Sequence, residues 1–245
     1  MSEADLQLRV LEALEQARNY NAWVTSLILP HLGDNPVELG SGLGYQTELL
    51  LTAGLPRVTV SEPTADGVRE LAVRFAGDPR VTCRAIDFTR PPRGEYSAVY
   101  AVNVLEHVAD DVGALAGAAA LVRAGGKVVV FVPAFPSAMS RFDRELGHYR
   151  RYTRETTHRA FVDAELEPEL IRYVNAPGLP LWFVWMRLLG RRPSAGLALR
   201  LWDRLVVPVA RAVEARVHPP FGQSVLAVGR VSSGADQASR KAASV

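Results

Sequence analysis

The stretch Pro36-Val37-Glu38-Leu39-Gly40-Ser41-Gly42-Leu43-Gly44 limits this chain more than any other, because an apolar run ends in an acid and then breaks into three glycines at alternate positions. Such a run predicts a strand that enters a ligand-binding turn. Glycine at this spacing permits positive φ and lets a ligand approach the main chain with no Cβ in the way. The helical spacing that resumes at residues 45–50 offers the unpaired N–H groups of a first turn to whatever sits in the loop. The pattern is G-x-G-x-G, whereas the dinucleotide fingerprint is G-x-G-x-x-G, and neither Tyr45 nor Gln46 supplies a third glycine in that register. A pyrophosphate ligand, and with it a dinucleotide-dependent oxidoreductase, is therefore disfavoured. An ordinary tight strand-to-helix turn is the plain alternative, and the residues downstream decide.

A nucleoside held at this loop needs an acid at the end of the next strand to receive its ribose diol. Residues 57–62 form a short β-branched run, and Glu62 stands at its end about 20 residues beyond the glycines, the placement that a doubly wound fold requires. A third strand over residues 80–86 ends at Asp87-Phe88. A fourth over 96–102 runs into Asn103-Val104-Leu105-Glu106-His107-Val108, and a fifth over 126–133 follows the turn Arg123-Ala124-Gly125-Gly126.

Taken in this order, residues 36–134 resemble the class I S-adenosylmethionine (SAM) methyltransferases, whose first motif reads V-[LV]-[DE]-[LIV]-G-[CSA]-G-x-G. The V-L-E-H-V block is similar to that of the ubiquinone-type and natural-product branch, and L-V-R-A-G-G takes the place of that family's L-[RK]-P-G-G. The resemblance implies an α/β, Rossmann-like sheet of seven strands in the order 3-2-1-4-5-7-6. Its last strand is antiparallel, helices cover both faces, and a helical insertion forms a lid. It also implies SAM as cofactor, with Glu38, Gly40, Gly42 and Gly44 in the loop and Glu62 on the ribose. Asp87 would meet the adenine amino group and Phe88 its ring, while Asn103 and His107 would line the methionine half. For Asp87 a surface turn residue remains the alternative.

With 245 residues the chain is long enough for one sizeable core, and residues 1–232 are expected to form one domain, followed by a disordered tail over 233–245. A net charge of +2 with dispersed basic residues disfavours a nucleic-acid partner. The single Cys83 lies in an expected buried strand, cannot form an internal disulfide, and points to a reducing compartment. No signal-peptide pattern begins the chain and no apolar run approaches the ~20 residues that span a bilayer, so a cytoplasmic protein is expected.

Apolar spacing over residues 6–17 and 23–32 predicts one or two amphipathic helices, within a cap formed by residues 1–33. The block at residues 17–23 is similar to a leading segment of related methyltransferases in which an aromatic closes over SAM. Tyr20 would then face the cationic sulfonium through its ring, the alternative being that Tyr20 and Trp23 simply pack the helix onto the sheet. Two substrate-side insertions, 134–160 and 176–217, depart from the bare fold. The first contains Phe142-Asp143 to Gly147-His148-Tyr149-Arg150-Arg151-Tyr152-Thr153, similar to an F-D-x-x-x-G-H-x-R-R-Y-[TS] block of this branch, and has no clear period over 134–152. In the second, residues 179–189 are strongly apolar and suit a roof over substrate, a peripheral membrane contact or an interface. Residues 197–217 read as a helix and 221–229 as the last strand.

Methyl transfer from a sulfonium is an in-line displacement that rests largely on alignment, with a base needed for some acceptors. His148 and His107 are the candidates for that role and Tyr149 accompanies them, the alternatives being that His148 ties the insertion to the sheet and that His107 is a wall of the SAM pocket. Arg150 and Arg151 suit a carboxylate or phosphate of the acceptor, or form an ordinary solvated pair. A metal is not expected: small-RNA 2′-O-methyltransferases bind a cation with E-x-x-E-H and a later histidine, and Asn103 replaces the first acid here. The resulting expectation is methylation of a small-molecule or lipid-like acceptor in secondary metabolism or the modification of glycosyl- or polyprenyl-linked compounds. A SAM-binding protein with another activity is the alternative, and the oligomeric state is left open.

Overall fold

In the computed structural model, described here for residues 16–86, 94–184 and 196–232, seven strands form one sheet. They are β1 (Val37–Leu39), β2 (Val58–Glu62), β3 (Val81–Ala85), β4 (Tyr96–Val102), β5 (Val122–Pro133), β6 (Leu166–Val174) and β7 (Ser224–Val231), in the order β3-β2-β1-β4-β5-β7-β6. Neighbours from β3 through β5 pair in parallel, and β7 runs antiparallel between β5 and β6. This is the topology that the family resemblance implies. The central strands β1, β4 and β5 are buried on both faces, which is why they read as unbroken apolar runs.

Because side chains alternate across a strand, the sheet divides its apolar residues between two layers. Val128, Val130 and Val132 of β5 join Val37 and Val99 on one face, beneath α4 (Asp111–Leu121) and α6 (Arg154–Asp163). Val129 and Phe131 join Val60, Tyr100 and Leu226 on the other, beneath α1 (Arg18–Ile28), α2 (Tyr45–Thr52) and α3 (Ala65–Arg74). The other α-helices among the described residues are α5 (Arg141–Glu145), α7 (Gly178–Trp182), α8 (Leu197–Leu201) and α9 (Val207–Glu214).

Several local expectations need revision. β5 starts at Val122, which pairs with Tyr96 before the register shifts, so the expected turn at residues 123–126 is an irregularity inside the strand. Cys83 is only partly buried, because β3 is a sheet edge. Residues 134–152, expected to be irregular, contain α5, too short to show a period. Its sequence signal is instead the capping box in which Ser140 and Asp143 satisfy each other's backbone N–H groups. Residues 197–217 are broken by a π-helical turn at Trp202–Val206 between α8 and α9. Asp87, Phe88, most of the expected cap helix over 6–17, and the tail over 233–245 lie outside the described residues.

Candidate active site

The chain passes from β1 outward to β2 and β3, then crosses back to β4 on the other side of β1. A crevice opens beyond the carboxyl ends of strands at such a switch point, and the glycine loop lies there. Gly40, Gly42 and Gly44 have φ of +66°, +53° and +78°, in the region that side chains avoid. A Cβ on Gly40 would stand 2.7 Å from Val104 Cγ2, and one on Gly44 would stand 2.6 Å from Phe75 Cε2. Packing by the protein's own side chains, besides ligand approach, thus excludes larger residues at these two positions.

The loop is stitched to β2 rather than left free. The Ser41 N–H donates to the Ser61 carbonyl at 3.0 Å, and the Ser61 N–H to Ser41 Oγ at 3.1 Å. The Ser61 hydroxyl donates to the Glu38 carbonyl at 2.8 Å. Glu62, half-buried at the end of β2, accepts the Gly42 N–H at 2.5 Å. Burial raises its carboxyl pKa, opposed by that N–H. Glu38 is buried and accepts the Thr47 hydroxyl from α2. Desolvation pushes its carboxyl up to about 7 despite the hydroxyls of Thr47 and Ser41. Asn103, exposed just after β4, adopts the left-handed region at φ 54°.

Tyr20 packs its ring 5.8 Å from that of Trp202 and brings its hydroxyl within 3.5 Å of Ser224 Oγ at the start of β7. Burial pushes the phenol up to about 12. The backbone N–H groups of Asn19 and Tyr20 donate to the Asp203 carboxylate at 3.0 and 2.9 Å, so a buried acid 183 residues from Tyr20 caps α1. No sequence signal marked Asp203. The residue before α1, Ala17, has no side-chain acceptor, and only the fold delivers one.

The turn after β4 places Glu106 in the interior with neither carboxylate oxygen hydrogen-bonded among the described residues. Burial pushes its carboxyl up to about 8. The His107 ring meets that of His148 edge-on at 4.5 Å. Desolvation, followed by the charge of His148, lowers its imidazole to about 4, against a hydrogen bond with the backbone of Leu146. The His148 backbone N–H donates to the Asp143 carbonyl at 2.9 Å, and the ring Nδ1 stands 3.3 Å from Asp143 Oδ1.

Asp143 is buried and fully engaged. Oδ2 accepts the Ser140 N–H and hydroxyl, each at 2.6 Å, and Oδ1 accepts Arg151 Nη2 at 2.7 Å. Burial opposes its ionisation, yet His148 and the Arg151 guanidinium hold its carboxyl well below the usual carboxylate range. Arg151 also donates to the Ala134 carbonyl at 3.1 Å and lies over the Trp182 ring.

Neither arginine is the open fork that acceptor recognition would need, since Arg150 pairs with Asp111 at 2.6 Å and Arg151 is buried against Asp143. Tyr149 joins the cluster through its N–H, which donates to the Glu106 carbonyl at 2.8 Å, while its side chain is 62% exposed. One ligand atom each from Glu106, His107 and His148 lie within 4.8 Å of one another, an N/O set that suits a divalent transition ion. The sequence reading expected no metal because Asn103 stands where the small-RNA 2′-O-methyltransferases have their first acid; the fold groups Glu106 and the two histidines without it. A groove of about 590 Å³ between α6 and β6, lined by residues such as His158 and Ile171, lies apart from this cluster.

Residues 10–171 match the Methyltransferase domain family. Among curated proteins no sequence matches the chain. Similar solved structures include the methyltransferase bound to the Trm112 activator of Haloferax volcanii, with 16% identity, TM-score 0.61, and coverage of 94% of this chain and 96% of that one. Geranyl diphosphate methyltransferase in complex with SAM is 18% identical, with TM-score 0.58 over 85% and 84% of the two chains. Geranyl diphosphate C-methyltransferase from Streptomyces coelicolor A3(2) is 17% identical, with TM-score 0.57 over 84% and 76%. The chain belongs to the methyltransferase domain family and is a SAM-dependent methyltransferase with the class I fold.

Proposed function

We propose that the enzyme methylates a small, lipid-like acceptor of the glycosyl- or polyprenyl-linked kind, seated between the glycine loop and the pair His107–His148. The observation that supports this reading is the polar cluster of Glu106, His107, His148 and Asp143 at the sheet edge that also bears the glycine loop, backed by Arg151, which pairs with Asp143 and lies over the Trp182 ring. The loop fits a nucleoside: its glycines hold left-handed backbone, and Glu62 presents a carboxylate that already accepts an N–H there.

SAM supplies an electrophilic methyl group on sulfur. Glu62 would receive the ribose hydroxyls, and Gly40, Gly42 and Gly44 with the buried Glu38 would shape the wall beside them. Asn103 and His107 would line the methionine side, Tyr20 would close over it, and the family resemblance assigns Asp87 with Phe88 to the adenine. His148, with Nδ1 3.3 Å from Asp143 Oδ1, keeps its other ring nitrogen for the acceptor's proton. Tyr149, exposed at the rim, contacts the acceptor.

Calorimetry with SAM and S-adenosylhomocysteine tests the first half of this reading. Binding is expected, and Glu62→Ala should weaken it by ~1–3 kcal/mol, the scale of hydrogen bonds to a charged group. Incubation with SAM and sets of polyprenyl, glycolipid and phenolic compounds, read as a methyl mass shift, tests the second. His148→Ala should cut turnover by ~10²–10⁴ with SAM affinity retained. Absence of binding to either nucleoside sinks the site assignment, and methylation confined to nucleic acid or protein sinks the acceptor class.

A further inference from the structure

The chain from α8 through α9 carries an outward face that the site described above does not use. Leu197, Leu201, Leu205, Val209, Val213 and Val217 recur every four residues, and each is between 47% and 73% exposed. This is a continuous aliphatic stripe on the surface, not a scatter of single apolar residues. Beside it stand Arg200, Arg204, Arg211 and Arg216, all exposed, and among the described residues none of the four is paired with an acid.

The acids of the same stretch are turned the other way. Asp203 is buried as the cap of α1, and Glu214 is buried where it accepts the N–H groups of Asn175 and Ala176 at 3.0 and 2.8 Å. Val207 and Ala210 are buried between them. The residues at 203, 207, 210 and 214 follow a helical period, so one face is fixed to the core by two carboxylates while the opposite face presents aliphatic side chains among arginines alone. Both anchors lie at the candidate-site edge of the sheet, since Asp203 holds the segment bearing Tyr20 and Glu214 holds the chain leaving β6. A groove of about 430 Å³ runs between this helix and Ala176–Pro177, lined in part by Leu205, Val209 and Val213.

We propose that the face from Leu197 to Val217 docks the enzyme on an anionic membrane surface, with the aliphatic stripe entering the headgroup boundary and the four arginines on lipid phosphates. A protein partner could cover the aliphatic residues as well. The charge decides between them: among the described residues of this stretch the only exposed ionic side chains are guanidinium, which matches a lipid surface of uniform negative charge, and such helices lie in the interfacial plane. Among the described residues no helix is long and apolar enough to cross a membrane, so the attachment is peripheral. The inference stands on residues outside the SAM site, and it would bring a lipid-linked acceptor to the edge where that site opens.

Flotation of the full chain with vesicles tests it. The protein should float with vesicles of equal phosphatidylglycerol and phosphatidylcholine, at least tenfold less with phosphatidylcholine alone, and less at high salt. The double variant Leu205→Asp, Val209→Asp, both at exposed positions, should abolish flotation, with an unchanged melting temperature and unchanged SAM calorimetry as controls for the fold and the nucleoside site. Arg204→Gln with Arg211→Gln should weaken binding to anionic vesicles selectively. Failure to float with anionic vesicles, or flotation that survives the aspartates, overturns the proposal. So does a concentration-dependent dimer, seen by light scattering without lipid, that the aspartates dissolve. Loss of SAM binding alone would fault the nucleoside site and leave this surface standing.

Discussion

Glu38→Gln should make the enzyme's stability less dependent on pH, in a direction and amount that follow from burial. The Glu38 carboxyl is 3% exposed, with the Thr47 hydroxyl donating to it and the charge of Glu62 nearby. Its folded-state value of about 7 stands above the 4.5 of an ordinary glutamate. Below 4.5 the group is protonated in both folded and unfolded chains, and its burial costs nothing in charge. As pH rises from there, the unfolded chain ionises freely while the folded one resists, so stability is lost until pH passes the folded value and then levels off. At 1.36 kcal/mol per pH unit the full loss is about 3 kcal/mol. For a chain of this size, that corresponds to a melting temperature lower by ~6–12 °C. Glutamine keeps the shape and its carbonyl still accepts the Thr47 hydroxyl, but it has no charge to lose. Urea unfolding of wild type and variant at pH 5, 6, 7 and 8.5 isolates the residue, because Glu106 and His107 titrate in both. The variant should gain on the wild type by about 2–3 kcal/mol between the lowest and highest pH. A difference that stays flat within ~1 kcal/mol would mean that Glu38 is solvated or paired with a cation, and the account of the loop's interior would fail.

Gly44→Ala forces a side chain into left-handed backbone and places its Cβ 2.6 Å from Phe75, so it should cost about 2–4 kcal/mol of unfolding free energy in urea. A neutral result would show that the loop relaxes freely. Asp203→Ala removes the acceptor for the N–H groups of Asn19 and Tyr20 and should cost about 1–2 kcal/mol, with faster amide exchange confined to the first turn of α1. Exchange unchanged there would show that the remote cap does not hold the helix.

The glycine loop and the central strands were legible in the sequence because they rest on local chemistry, whereas the strand order came from the family resemblance and not from periodicity. An acid followed by alternate glycines forces a turn, the β-branched run before Glu62 forces a strand, and apolar runs without polar alternation belong to strands buried on both faces. The short helix α5 was written in the Ser140-x-x-Asp143 box, but five residues give no period by which to see it. The expected buried strand placed Cys83 in the interior, whereas burial depends on which neighbours a strand acquires, and β3 has only one.

What the tertiary structure alone decided is which distant groups meet. Spacing gave Glu106 beside His107, but only the turn after β4 and the segment bearing His148 bring the second imidazole within 4.5 Å, with Asp143 and Arg151 fixed behind it. The same holds for Arg150 and Arg151, whose fork shape suited an acceptor until the fold supplied Asp111 and Asp143 as partners. It holds for Asp203, an unremarked acid in a basic helix that caps α1 from the far end of the chain. Backbone preference is local and can be read along the chain, whereas charge pairing and burial are set by distances in space, which exist only once the sheet has closed.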